Sequence, residues 1–150
     1  MKINSVCAIG GAGFLGRHIA RQLADLGIRV RVPTRHRERA KQLIVLPTVD
    51  VITADVNDPA TLSRLVAGND AVVSLAGILH ERRKGDFART HTELPRKIVD
   101  ACREQGVRLP VVHDGEVGHQ LRACIGAVGT ERGKLVLGRG RRAEYLARGG

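Results

Sequence analysis

Aromatic side chains are scarce in this sequence of 150 residues, which contains two Phe, one Tyr and no Trp. A core without aromatics must consist of Val, Ile, Leu and Ala, as in the buried strands of a parallel sheet. The basic residues, which give a formal net charge of +10, favour anionic partners. They are not interleaved with aromatics as in single-strand binders, so we expect no nucleic-acid partner.

Cysteines and long apolar runs are also few. Cys7, Cys102 and Cys124 are odd in number and widely spaced, which fits neither a zinc site nor a secreted disulfide framework. We therefore expect no metal site and a reducing, cytoplasmic setting. No apolar run approaches the length of a membrane span and no signal peptide opens the chain, so we expect no transmembrane segment.

The most informative segment is a run of glycines between an apolar stretch, 6–9, and an amphipathic stretch, 14–26. Strand, glycine turn and helix in this order form a site for a dinucleotide pyrophosphate, which accepts from N–H groups at the helix start. The spacing is G-x-x-G-x-x-G, and the alternative is a strand-to-helix turn without a ligand. The candidate cofactor-binding residues of this segment are Gly10, Gly11, Ala12, Gly13, Phe14, Leu15 and Gly16.

The end of the second predicted strand, 28–32, contains arginine where an acid is typical of NAD sites. Roughly twenty residues beyond the glycines, an Asp or Glu would accept from the ribose 2′-hydroxyl. No acid lies between Asp25 and Glu38, and the segment after Pro33 contains Thr34, Arg35 and Arg37. Because a guanidinium can grip a 2′-phosphate bidentately, we expect NADP(H) to be favoured over NAD(H). The alternative is an arginine-rich helix start open to solvent.

Two further strands complete the predicted site. Asp55 follows the third strand, 49–52, where its carboxylate can accept from an adenine amino group. The fourth strand, 70–77, ends in the small residues Ala76 and Gly77, which let a cofactor ring approach. The alternation of strands with helices predicts an α/β fold, a Rossmann-type doubly wound parallel sheet. We expect helices over 38–46, from an N-cap at Asp58 with Pro59 at the first helical position, and over 87–105, the last distorted or restarted at Pro95.

The segment 109–150 differs from the rest of the chain. It contains nine of the eighteen glycines, scattered without a turn pattern, and its candidate fifth strand, 110–113, is short. We therefore divide the chain into a dinucleotide-binding part, 1–108, and a tail, 109–150. We expect a sheet truncated after its fourth or fifth strand, followed by an irregular C-terminal tail. One hypothesis is that the tail is translated out of frame, and the alternative is a divergent but selected tail; the gene sequence would decide.

Five segments in order resemble the extended and atypical short-chain dehydrogenases, which include NAD(P)-dependent epimerases and dehydratases. These segments are 6–16, 29–35, 54–56, 73–80 and 91–97. The nearest branch is the bacterial relatives of the NADPH-binding accessory subunit of respiratory complex I, and the resemblance covers about residues 1–108. It implies that Gly10, Gly13 and Gly16 hold the pyrophosphate and that Arg35 faces the 2′-phosphate. It further implies a partner in a respiratory complex or at the inner face of a membrane. The remaining cofactor contacts that it implies are Asp55, Val56, Ser74, Leu75, Ala76 and Gly77.

The catalytic residues of that family have no counterpart here. Such enzymes use a Tyr-x-x-x-Lys pair and a serine from the fifth strand, whereas Tyr145 is followed four residues later by Gly149 and no serine follows Ser74. We therefore expect an NADP(H)-binding domain without catalytic activity of its own. The alternatives are an active NAD(P)-dependent oxidoreductase or nucleotide-sugar epimerase/dehydratase, and a basic interaction protein that uses the fold without a cofactor.

Overall fold

The computed structural model describes residues 3–76, 83–86, 89 and 93–107, together with the backbone of three short strands further on. The strands are β1 (Ser5–Ile9), β2 (Arg29–Thr34), β3 (Val49–Thr53), β4 (Ala71–Ser74), β5 (Leu109–Val112), β6 (Gly129–Glu131) and β7 (Lys134–Val136). The helices are α1 (Phe14–Asp25), α2 (Lys41–Ile44), α3 (Pro59–Val66) and α4 (Leu94–Glu104), with a 3-10 turn at Arg37–Ala40 before α2.

Five strands form one parallel sheet in the order β3-β2-β1-β4-β5. This order and the intervening helices confirm the predicted α/β, Rossmann-type doubly wound architecture. The chain therefore moves outward on one side of β1 and then returns to pair β4 on its other side. In the tail, β6 and β7 form a separate antiparallel pair, which the prediction of an irregular tail did not include.

The sheet has an apolar core on each face because its central strand is buried on both sides. Val6 and Ala8 of β1 point into one core with the inner face of α1, whereas Cys7 and Ile9 point into the other with α3 and α4. This strict alternation explains why the central strand is a continuous apolar run. The two cores also fix how both helical layers sit on the sheet.

Helix α3 begins as the sequence predicts. The carboxylate of Asp58 accepts from the Thr61 N–H at 2.9 Å, and Pro59 occupies the first helical turn. Hydrogen bonding from the Thr61 side chain, together with this bond from its backbone N–H, lowers the pKa of Asp58. Helix α4 begins at Leu94 with Pro95 in its first turn, where proline removes no helical hydrogen bond. The predicted helical residues 87–88 and 90–92 lie outside the described part of the chain.

Several predicted boundaries were wrong. Strand β4 covers Ala71–Ser74 rather than 70–77. Strand β2 runs through Pro33 to Thr34, because the pairing of β2 with β1 already ends at Arg31. The missing N–H of Pro33 therefore costs no hydrogen bond to β1. The Ala8 carbonyl of β1 instead accepts from the Gly11 N–H, at 3.0 Å. The helix predicted over 38–46 is a 3-10 turn followed by the single turn of α2.

Two cysteines are buried in the core under α3 and α4. Cys7 is 0% exposed and Cys102 is 1% exposed. Burial raises the pKa of Cys7 to about 12 and that of Cys102 to about 11. Because the thiolate is the reactive form, both thiols should be inert in the folded chain.

We therefore predict that a C124S variant, which keeps only these two thiols, reacts slowly with a thiol reagent at pH 8 in its native state. In guanidinium chloride both thiols should react rapidly, because unfolding removes the burial that raises their pKa values. Absorbance of the released chromophore follows both rates. Rapid native reaction of either thiol would contradict the packing of β1 against α4.

Candidate functional site

The glycine segment lies where the strand order reverses. Strands β1 and β4 are neighbours in parallel register, with Ile9 opposite Ser74, and the Leu75 N–H donates to the Ile9 carbonyl at 2.8 Å. The turn after β1 and the residues after β4 therefore share the carboxyl edge of the sheet. In open α/β sheets, ligands bind in the crevice at this point.

The turn itself depends on Gly10. This residue has a φ of +77°, and a Cβ there would lie 2.6 Å from the Ala76 nitrogen and 2.7 Å from the Leu75 carbonyl carbon. Such distances are shorter than any real Cβ contact, so a side chain at this position would force the two strand ends apart. Gly10 thus gives the turn its conformation and also lets the end of β4 approach. The sequence pattern predicted a glycine turn at this position, but it did not predict the close approach of the end of β4.

Gly16 fixes how closely α1 packs on the turn. A Cβ on Gly16 would lie 2.5 Å from the Gly11 Cα and 2.7 Å from the Gly11 carbonyl carbon. Gly13, in contrast, has an extended conformation with φ of −73°, and a Cβ there would lie 3.2 Å from the Gly10 oxygen. Gly16 is therefore required by packing, whereas Gly13 is exposed and leaves the turn without a side chain at its outer surface.

Helix α1 begins at this turn without a side-chain cap. Gly13 occupies the N-cap position, no acidic residue lies in the first turn, and the Arg17 N–H donates to the Gly13 carbonyl at 3.0 Å. The N–H groups of Phe14, Leu15 and Gly16 precede the first i→i−4 bond and have no partner within the helix. They carry the positive end of the helix dipole, so this end of α1 favours an anion.

The side chains of Phe14 and Leu15 diverge from the turn. Phe14 is 76% exposed and packs edge-to-face on His18, with ring centroids 5.3 Å apart. Leu15 is half-buried against the core under α1. Both residues thus direct their side chains to helix contacts, so what they offer an anion is the backbone N–H.

The residues after β2 and β3 lie side by side at the same edge. Thr34 is opposite Thr53 in register, and the Ala54 N–H donates to the Thr34 carbonyl at 3.1 Å. Asp55 Oδ1 accepts from the backbone N–H of Asn57 at 2.9 Å and from its side-chain amide at 3.0 Å. The Asn57 backbone N–H lowers the pKa of Asp55, and the nearby Arg35 guanidinium adds to this effect.

Arg35 and Arg37 differ in their surroundings. Arg35 is exposed at the edge beside Asp55. Arg37 instead donates from its guanidinium to the Val51 carbonyl of β3 at 2.6 Å. The sequence analysis gave both arginines as candidates for binding one phosphate. In the structure, part of the Arg37 guanidinium is already hydrogen-bonded to a backbone carbonyl. Neither this contact nor the Asn57 bond to Asp55 was predicted, although Asp-x-Asn is a pattern typical of a side-chain-stabilised turn.

The other predicted site residues follow the strands in the expected order. Leu75 and Ala76 are half-buried directly after β4, and Val56 packs against the core under α3. Gly77 and Tyr145 lie outside the described residues. Within the described ranges, no three His, Cys, Asp or Glu side chains are grouped as metal ligands would be, and no helix is long and apolar enough to cross a membrane.

We predict that G16A lowers the stability of the fold by about 3 kcal/mol, the upper range for an overpacked site. Helix propensity alone would predict the opposite sign, since alanine is favoured over glycine inside a helix. The matched control is G27A, because Gly27 has a φ of +74° but an added Cβ there would have no atom within 4 Å. That control should cost only about 1 kcal/mol of backbone strain. Thermal and urea unfolding measure both, and a G16A chain as stable as the wild type would contradict the close approach.

The chain is similar to proteins of known family. A family model described as NAD(P)H-binding matches residues 10–146. Ceramide reductase of Caulobacter vibrioides is 35% identical over 107 residues, which are 71% of this chain and 33% of that protein. The mitochondrial NADH dehydrogenase [ubiquinone] 1 alpha subcomplex subunit 9 of Rattus norvegicus is 28% identical over 102 residues, 65% of this chain and 27% of the subunit. The chain thus spans about a third of the length of these curated relatives.

The fold is shared with solved structures as well. A mutant of uronate dehydrogenase from Agrobacterium tumefaciens, complexed with NAD, superposes with a TM-score of 0.60 at 23% identity, covering 73% of this chain and 40% of that chain. The relatives include the complex I subunit, so the resemblance to extended and atypical short-chain dehydrogenases is confirmed. The family model matches well over half of the sequence, and the chain belongs to the NAD(P)H-binding family.

Proposed function

We propose that this chain binds NADP(H) in preference to NAD(H) and has no catalytic activity of its own. The observation that carries the proposal is the glycine turn at the carboxyl edge of β1, where an uncapped helix N-terminus meets the point at which the strand order reverses. The cofactor fits this turn because the positions that would block it are glycines. When bound, a nicotinamide dinucleotide supplies a hydride donor or acceptor, and this chain's residues supply its binding.

In this proposal the pyrophosphate lies against the backbone of the turn. Its oxygens accept from the first N–H groups of α1, those of Phe14, Leu15 and Gly16, where the helix dipole favours negative charge. Gly10, Gly11 and Ala12 form the turn beneath it. Exposed Gly13 allows the phosphates to reach the backbone, since any side chain there would project from the outer surface of the turn.

The adenosine end would lie across β2 and β3. Arg35 faces the 2′-phosphate beside Thr34, and the carboxylate of the one acid that closely follows, Glu38, lies 3.4 Å from His36 Nδ1. Asp55 engages Asn57 through Oδ1, and its other oxygen can accept from the adenine amino group with Val56 alongside. Leu75, Ala76 and Gly77 border the cofactor beyond β4.

A second candidate is an oxidoreductase or epimerase that uses this same site. It is favoured by the relatives, which include a reductase of Caulobacter vibrioides. Such activity needs an acid–base group near the nicotinamide, for which the family uses a tyrosine with a lysine four residues later. The one tyrosine of this sequence, Tyr145, is followed at that position by Gly149. Loss of any measured turnover in Y145F would favour this candidate over a binding domain.

The proposal extends to partners and setting by the relationship to the complex I subunit. We propose a cytoplasmic setting, with a partner that is either a respiratory complex or peripheral to the inner face of a membrane. We also retain the division into a dinucleotide-binding part, 1–108, and a tail, 109–150.

We predict that R35A weakens NADPH binding by about 10- to 100-fold, the equivalent of one lost charge-assisted contact. NADH binding should be unchanged, because NADH has no 2′-phosphate. Fluorescence titration of both nucleotides measures the two constants. R39A is the matched control, since Arg39 is an exposed arginine on the same segment.

Equal losses for NADPH and NADH in R35A would contradict a phosphate contact. No saturable binding of either nucleotide by the wild type would favour the basic interaction protein without a cofactor.

A further inference from the structure

Arg37 reaches back over the outer edge of the sheet. Its guanidinium donates to the Val51 carbonyl at 2.6 Å, across fourteen residues of sequence. In the β2–β3 ladder, the Val30 N–H donates to the Thr48 carbonyl and the Ala54 N–H donates to the Thr34 carbonyl. Backbone groups of successive residues point to opposite sides of a strand, so even-numbered residues of β3 face β2. The Val51 carbonyl therefore faces outward from the edge strand, and Arg37 satisfies it.

This contact anchors one end of a short segment that carries Arg35. At the other end, Thr34 belongs to β2, and its Oγ1 accepts from the His36 N–H at 3.1 Å. Arg35 thus lies between a fixed strand end and an arginine tied to β3. Its own side chain is exposed beside Asp55. One anchor on each side, the Thr34–His36 hydrogen bond and the Arg37–Val51 hydrogen bond, holds the backbone of Arg35. The guanidinium of Arg35 extends into solvent.

We propose that Arg37 is a positioning residue that holds Arg35 at the 2′-phosphate subsite and thereby contributes to the preference for NADP(H). The inference rests on the proposed function, because it concerns the phosphate assigned there to Arg35. Its physical basis is preorganisation: a segment that is already ordered loses less entropy when its arginine is immobilised by a ligand. Arg37 acts through Arg35 and does not itself contact the phosphate.

Two other roles for Arg37 make different predictions. If Arg37 gripped the phosphate directly, its loss would weaken NADPH binding whether or not Arg35 is present. If it only covered the edge of β3, as charged side chains on edge strands often do, its loss would lower stability and leave nucleotide selectivity unchanged. A positioning role requires that the effect on selectivity disappear once Arg35 is removed.

The test is a double-mutant cycle on the full chain with R35A, R37A and the double variant, titrated with NADPH and with NADH. We expect R37A to weaken NADPH binding about three- to tenfold, the cost of ordering the backbone of about one residue. NADH binding should not change. In the R35A background, R37A should have no further effect on NADPH binding. R39A again controls for the loss of one positive charge from this segment.

The outcomes separate the inference from the proposed function. A wild-type chain without preference for NADPH overturns both. A wild-type chain that prefers NADPH, combined with an R37A loss that persists in the R35A background, overturns the inference alone. So does an R37A chain with a lower melting temperature and full NADPH selectivity. Should R37A fail to fold, R37Q supplies the same cycle, with the same sign and the same dependence on Arg35 expected.

Discussion

The close approach of three backbone segments at the carboxyl edge of the sheet is the constraint on which the site depends. The turn after β1 lies against the end of β4 at Gly10, and α1 lies against the turn at Gly16. No side chain larger than hydrogen fits at either position. The two glycines therefore decide where the first turn of α1 sits, and so where its free N–H groups meet the crevice between β1 and β4.

The strand order explains why the close approach at Gly10 and Gly16 matters for ligand binding. The strand order reverses at the β1–β4 pair, and α1 and α4 lie in the cores on opposite faces of the sheet. In open α/β sheets a ligand crevice is expected at such a point. Burial of β1 on both faces fixes the strand rigidly under the turn. A buried strand and an uncapped helix end are the features that favour a preorganised anion site, which is the basis of the proposed function.

Local patterns predicted the parts of the structure that depend on local order. Apolar runs separated by amphipathic stretches were sufficient for the parallel sheet, and the Asp58–Pro59 pair for the start of α3. The extension of β2 through Pro33 was not predictable in this way, since it depends on where β1 stops pairing. The β6–β7 pair was missed because glycine content alone does not show which segments are in register.

Some arginines near β2 hydrogen-bond to backbone carbonyls, which shows why positive charge in the sequence alone could not predict the residues of the site. Arg31 donates to the carbonyls of Leu65 and Ala67, at 2.6 and 3.2 Å, and so caps the end of α3. Arg37 likewise donates to a backbone carbonyl. In the sequence these residues and Arg35 are equivalent members of one basic stretch. What distinguishes them is the reach of their side chains across the sheet. Arg31 and Arg37 donate to backbone carbonyls, and Arg35, beside Asp55, is the one that we propose meets an external anion.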